Sequence, residues 1–291
     1  MSALRRHHDD PPQLNQPTLF AAFEGWNDAG EAATGAIEAL GEAIDASDFA
    51  DIDPEDFFDF QVNRPIIRWE DERRQLEWPA TTFSYARLDG PRDVVLVRGH
   101  EPNMRWRTFT TVILEEAKRL GVTRIVTLGA LQVDRPHTRP VPLTGSSTNV
   151  ETAAAYGLRR STYEGPTGIV GVLHQAAVDA GFEAASIWVG VPHYLAGTAY
   201  QKASLAIARR AVRLLETDMD LSSLADDAEG QVADIAELVA EDDELAAYVS
   251  ELEQRADSDP DPLETEELPT PPVSGDELAA EFERYLRDRT D

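Results

Sequence analysis

The stretch Phe23-Glu24-Gly25-Trp26-Asn27-Asp28-Ala29-Gly30 sets two carboxylates, an amide, an indole and two glycines between an apolar run at residues 19–23 and a helix-patterned segment starting near Gly30. A turn of that composition, where a strand hands over to a helix, is where open α/β sheets bind their ligands. Glu24 and Asp28 are spaced to act as an acid/base pair or as hard-metal ligands. The same residue types also suit a structural task, with Asn27 or Asp28 capping the following helix and Glu24 tying down a neighbouring loop.

Three later segments carry comparable polar clusters. His100-Glu101-Pro102-Asn103 follows the apolar run at 94–97 and offers a general base, although Pro102 and Asn103 equally make a plain turn into the next helix. Residues 129–147 form the most unusual connection, with Asp134, Arg135, His137 and Arg139 inside it. Its length marks it as functional or mobile, and its two arginines could take a carboxylate or phosphate, or else pair with Asp134, Glu24 or Asp28. Gly165-Pro166-Thr167-Gly168 precedes an apolar helix, whose first backbone N–H groups suit an anion. His193-Tyr194, after Val191-Pro192, completes the set, whereas His174 beside Leu173 reads as a core-edge histidine. The candidate ligand-binding residues are therefore Glu24, Trp26, Asn27, Asp28, His100, Glu101, Asp134, His137, Arg139, Thr167 and His193, with no metal and no cofactor expected.

Strong catalytic signatures are missing: there is no Gly-x-Ser-x-Gly, no phosphate-binding Gly-x-x-x-x-Gly-Lys-Ser/Thr and no His-Glu-x-x-His. That weighs against a mainstream enzyme without excluding one. Zero cysteines rule out disulfides and a thiol nucleophile and fit a reducing cytoplasm. No apolar run approaches the ~20 residues that cross a bilayer, and the segment at 1–12 lacks the apolar stretch of a secretory signal. Of the net charge of −28, −22 falls from Glu216 onward, where 26 acids face four bases. Such a surface repels nucleic-acid phosphates, so nucleic-acid binding is set aside.

The elements that must position these clusters alternate between β-like and helix-like patterns from residue 18 to about 215. Short apolar runs at 19–23, 94–97, 125–128 and 187–191 are expected to be central parallel strands, buried on both faces. Helices are expected at 30–44, 106–120, 169–180 and 198–216, with Gly121 and Gly181 at helix ends. Residues 57–60, 66–69 and 82–85 read as an aromatic-rich strand leading into a hairpin that turns at 70–74, at the sheet edge or projecting from it. Hairpin arms of that kind often make subunit contacts. The organisation is then a disordered tail at 1–16, an α/β core at 17–218, an acidic helical extension at 219–256, a Pro/acid-rich linker at 257–273 and a terminal amphipathic helix at 274–291, opened by the capping pair Ser274 and Glu277.

At these residues the chain resembles the proteasome assembly chaperone 2 family, in its actinobacterial branch. The likeness covers roughly residues 18–250. It rests on the turn Glu24 to Gly30, on Gly129-Ala130, on Tyr163-Glu164-Gly165-Pro166-Thr167-Gly168-Ile169 with Gly171-Val172-Leu173, and on Val191-Pro192-His193-Tyr194. The resemblance implies a Rossmann-like three-layer α/β domain, similar to phosphorylases and hydrolases, with homo-oligomers common and a trimer favoured. It also implies proteasome subunits as partners. Some archaeal relatives dock into proteasome α-ring pockets through a C-terminal hydrophobic-Tyr-any residue ending. This sequence ends Arg289-Thr290-Asp291, with Tyr285 six residues from the terminus, so another surface is expected to carry any such role.

Two functions compete on this reading. One is a non-catalytic cytoplasmic protein that aids protein-complex assembly. The other is a small-molecule binder or a phosphorylase/hydrolase-like enzyme, with its site on a rim of strand C-terminal ends.

Overall fold

The computed structural model describes residues 3–7, 12–70, 73–158, 163–195 and 197–258. Ten strands are present among them: β1 (Leu4–Arg6), β2 (Thr18–Glu24), β3 (Ser47–Ile52), β4 (Ile66–Glu70), β5 (Arg73–Glu77), β6 (Thr81–Ala86), β7 (Val94–His100), β8 (Arg124–Val133), β9 (Leu143–Ser147) and β10 (Glu183–Pro192). Eight form one sheet in the order β1-β3-β6-β7-β2-β8-β10-β9. The four strands read as central, β7, β2, β8 and β10, lie side by side and parallel, while β1, β3, β6 and β9 pair antiparallel at the flanks. Their near-continuous apolar sequence is what burial under helices on both faces requires.

The helices are α1 (Ala32–Ala43), α2 (Trp106–Arg119), α3 (Val150–Tyr156), α4 (Ile169–Asp179), α5 (Gln201–Leu215), α6 (Ser222–Glu241) and α7 (Asp243–Ser258). Alternate strand residues feed two cores, which makes three layers. Phe20, Leu96, Val126 and Ile187 face α1, α5 and α6, while Leu19, Val95, Ile125 and Ala184 face α2 and α4. The spacing of Phe109, Ile113 and Ala117 shows why α2 packs on one face only. Gly121 and Gly181 end α2 and α4 at φ of 69° and 82°, a conformation that favours glycine.

Several segments depart from the sequence reading. Residues 4–6, expected within a disordered tail, pair with β3, and Arg6 reaches the buried Glu116 of α2 at 2.6 Å. β3 and β9 carry too few apolar residues at the right spacing to announce themselves. Phe57 and Phe58 are buried without forming a strand, and residues 82–85 belong to β6 inside the main sheet. The hairpin is therefore β4 with β5, a separate two-stranded ribbon. The acidic extension is two helices broken at Asp242, and only the first, through Leu224, Ala228 and Ile235, joins the α1-side core. The terminal helix expected at 274–291 and nearly all of the linker lie outside the described residues.

Candidate functional site

Because β7, β2, β8 and β10 are parallel neighbours, the loops after them share one rim. Trp26, Asp134 and His193 follow the ends of β2, β8 and β10, and His100 is the last residue of β7. The turn after β2 is drawn against β8, since the Ala130 N–H donates to the Asn27 carbonyl at 2.7 Å and Asp28 bridges Ala130. On the other side, the Glu101 N–H donates to the Glu24 carbonyl at 2.8 Å.

Within this frame the polar side chains engage one another. His100 Nδ1 lies 2.9 Å from Glu24 Oε2, and the hydrogen bond from His100, partly opposed by burial, holds the Glu24 carboxyl below the usual carboxylate range. The Asn27 amide donates to Glu101 Oε1 at 3.1 Å, and the same oxygen accepts the Ile169 N–H at 2.8 Å. The anion position at the start of α4 is thus filled by Glu101 of the same chain. Asp28 turns away from both. Its carboxylate, 6% exposed, accepts from the Ala33 N–H at 2.7 Å and from the Thr34 hydroxyl, and burial pushes its pKa up to about 6. Thr167 sits over the first turn of α4 against Gly171, and Trp26 stands exposed.

A second cluster sits over β8 and β10. His193 Nδ1 is 3.3 Å from Asp134, and its Nε2 is 3.1 Å from the Tyr248 hydroxyl of α7. The Tyr194 hydroxyl accepts the His137 N–H at 2.8 Å and lies 2.8 Å from His137 Nδ1. Burial, with Lys202 nearby, lowers the His137 pKa, and a neutral ring accepting from Tyr194 fits that environment. The Lys202 ammonium donates to the His137 and Arg139 carbonyls at 2.6 and 2.8 Å. Arg139 binds Asp257 at 2.7 and 2.8 Å and Glu253 at 3.3 Å, so α7 is strapped across this half of the rim.

The chemistry of this arrangement is cohesive. Two cavities of about 450 and 350 Å³ lie along α1, and of the rim candidates only Glu24 lines either one. Among the described residues no group of His, Asp and Glu is arranged to hold a metal ion, and no helix is long and apolar enough to cross a membrane. Sequence reasoning missed Lys202, Tyr248, Glu253 and Asp257. Lys202 carried a signal, being one of only two lysines in an arginine-rich chain. The α7 residues carried none, because an acidic helix does not reveal what it packs on.

A three-layer α/β body whose parallel strand ends gather cross-linked polar loops defines a Rossmann-like class. The chain belongs to the PAC2 family, whose description matches residues 22–239. A PAC2 family protein from Streptomyces avermitilis is 44% identical, with 80% of this chain and 99% of that one covered and a TM-score of 0.74. The Mycobacterium tuberculosis proteasome-assembly chaperone homologue Rv2125 is 46% identical over 80% and 99% of the two chains, with a TM-score of 0.72. These likenesses put the chain in the actinobacterial branch. Pyrococcus furiosus PbaB, an archaeal proteasome activator, shares the fold at 17% identity, with 82% and 99% of the chains covered and a TM-score of 0.65. No curated protein matches the chain significantly.

Proposed function

We propose that this chain is a non-catalytic cytoplasmic protein that assists the assembly of a protein complex, with proteasome subunits as its partners. The reading is carried by the mutual engagement of the rim. Glu24 with His100, Asn27 with Glu101, Asp134 with His193, and His137 with Tyr194 are paired to each other, which holds loops in place, and among the described residues only Glu24 of the rim candidates lines either of the two cavities along α1. Likeness to the mycobacterial proteasome-assembly chaperone homologue supports the choice of partner. Surface binding by a rigid rim needs pre-organised loops, and these pairs supply them.

The test is affinity capture of the full-length chain from native lysate of its own host, followed by identification of bound subunits. Enrichment of 20S α or β subunits over a charge-matched control protein is expected. Equal recovery from both baits would overturn the proteasome assignment.

A further inference from the structure

Half of the rim lies under α7, whose buried Val249 and Leu252 stand apart from the two apolar layers that cover the sheet. The polar hold of this helix is concentrated in its last two turns. Arg139 binds Glu253 and Asp257, the Thr138 hydroxyl donates to Glu253 Oε1, and the Arg135 guanidinium donates to the Ala256 carbonyl at 3.2 Å. Carboxylates near a helix C-terminus are locally unfavourable, because they meet the negative end of the macrodipole. Glu253 and Asp257 are therefore accounted for by the cations beneath them and not by the helix that carries them. Four positions apart, they stand on one face of it.

The surface under α7 is shaped by the rest of the molecule. Lys202, at the start of α5, donates to the His137 and Arg139 carbonyls, and the Tyr194 hydroxyl accepts the His137 N–H, so the loop at 135–139 is fastened from below. It stands at the end of a parallel strand, where open α/β sheets take their ligands. The attachment of α7 suits exchange. A single residue, Asp242, extended at φ −123° and ψ 105°, separates it from α6, which stays packed through Leu224, Ala228 and Ile235. The Arg139 pairs are partly exposed, and solvent screens them. The covered loop lies inside the stretch matched by the PAC2 family, residues 22–239, and α7 lies outside it. We propose that the loop at 135–139 is a docking site for an acidic amphipathic helix of a partner protein, recognised by its C-terminal turn, and that α7 occupies this site in cis until such a helix displaces it. The partner's chemistry is read from α7 itself. It carries a tyrosine and two aliphatic side chains at the spacing of Tyr248, Val249 and Leu252, then carboxylates at the spacing of Glu253 and Asp257, with a terminal carbonyl for Arg135. This rests on the rim being a protein-binding surface and is independent of which subunits bind there.

Fluorescence anisotropy of a labelled synthetic peptide of residues 243–258, titrated with the purified full-length chain, tests this without any proteasome subunit. A failure here is thus distinct from a failure of the capture experiment. Wild type should bind the peptide weakly, because a tethered α7 competes at an effective concentration on the order of millimolar. The variant Glu253→Lys/Asp257→Lys, which leaves the loop intact, should bind it at least tenfold more tightly, and adding Arg139→Glu to that variant should remove the gain. Asp257→Lys alone, a single change at an exposed side chain, should give a smaller gain and serves if the double variant does not fold by circular dichroism. A second peptide that keeps Tyr248, Val249, Leu252, Glu253 and Asp257 on an otherwise alanine and glutamine helix should bind the opened variant as the first does. Equal binding to wild type and the opened variants would overturn the proposal, as would no binding to the latter. So would a scrambled peptide of the same composition that binds as tightly, which would mean charge alone, or a second peptide that does not bind.

Discussion

At Asp28 one carboxylate shows how a site candidate becomes a structural residue. Residue type and position fit either catalysis or capping, and its bonds to the Ala33 N–H and the Thr34 hydroxyl make it the anchor of the first helix. That role has a pH signature. Its folded pKa of about 6 stands above the value of ~4 for an unfolded Asp, so the native state holds the proton more tightly. Its contribution is complete below pH ~4 and is lost as pH rises through about 6. The stability of wild type relative to Asp28→Asn, measured by urea unfolding, should therefore fall by roughly 1 kcal/mol between pH 5 and 7.5. A difference that does not move with pH would show that burial leaves this carboxyl unperturbed. The half-exposed Glu24 has the opposite sign, since its depressed pKa gives stability that is lost on acidification, and as a solvent-screened pair with His100 its effect is small.

At the scale of elements, the clasp between the β2 turn, the end of β7 and the start of α4 depends on the absence of a side chain at Gly168. A Cβ there would lie 2.0 Å from the Asn27 amide nitrogen and 2.6 Å from Glu101 Oε1, although the φ of −93° suits any residue. Gly168→Ala should cost about 1–3 kcal/mol by forcing these groups apart. Gly230→Ala in α6, where nothing lies within 4 Å, should stabilise by roughly 0.5–1 kcal/mol. Thermal melts of both variants check the contrast, and equal shifts in the same direction would rule out the clasp. The elements legible in sequence were those with strong internal patterns, such as β2, with six of its seven residues buried, and α2 with its spaced Phe109, Ile113 and Ala117. β9, Leu-Thr-Gly-Ser-Ser, has no such pattern. It is a strand because β10 offers it an open edge.

For the molecule as a whole, the acidic extension divides into a helix that completes the core and a helix that covers the rim. α6 buries Leu224, Ala228 and Ile235 in the α1-side layer, whereas α7 is held through Arg139, through the contact of Tyr248 with His193, and through the buried Val249 and Leu252. A chain ending after residue 242 should remain soluble and folded, with faster amide exchange over residues 134–142 where the strap is lost. A chain ending after residue 218 should aggregate, because it uncovers an apolar face of the domain. Soluble yield and hydrogen exchange of the two truncations decide this, and comparable behaviour would erase the distinction between the helices.

Sequence by itself determined that four apolar runs are central, parallel strands, because a run buried on both faces must be apolar throughout and a connection that returns to a parallel neighbour needs a helix, whereas their order in the sheet came with the tertiary structure. It also placed Trp26, His100, Asp134 and His193 at strand ends, and so on one rim. Only the tertiary structure decided what those groups do there. Whether Glu101 meets an incoming anion or the Ile169 N–H, and whether Arg139 faces solvent or Asp257, depends on residues between 68 and 118 positions away in the chain. Local pattern carries no information about such pairings, which form only when the layers close.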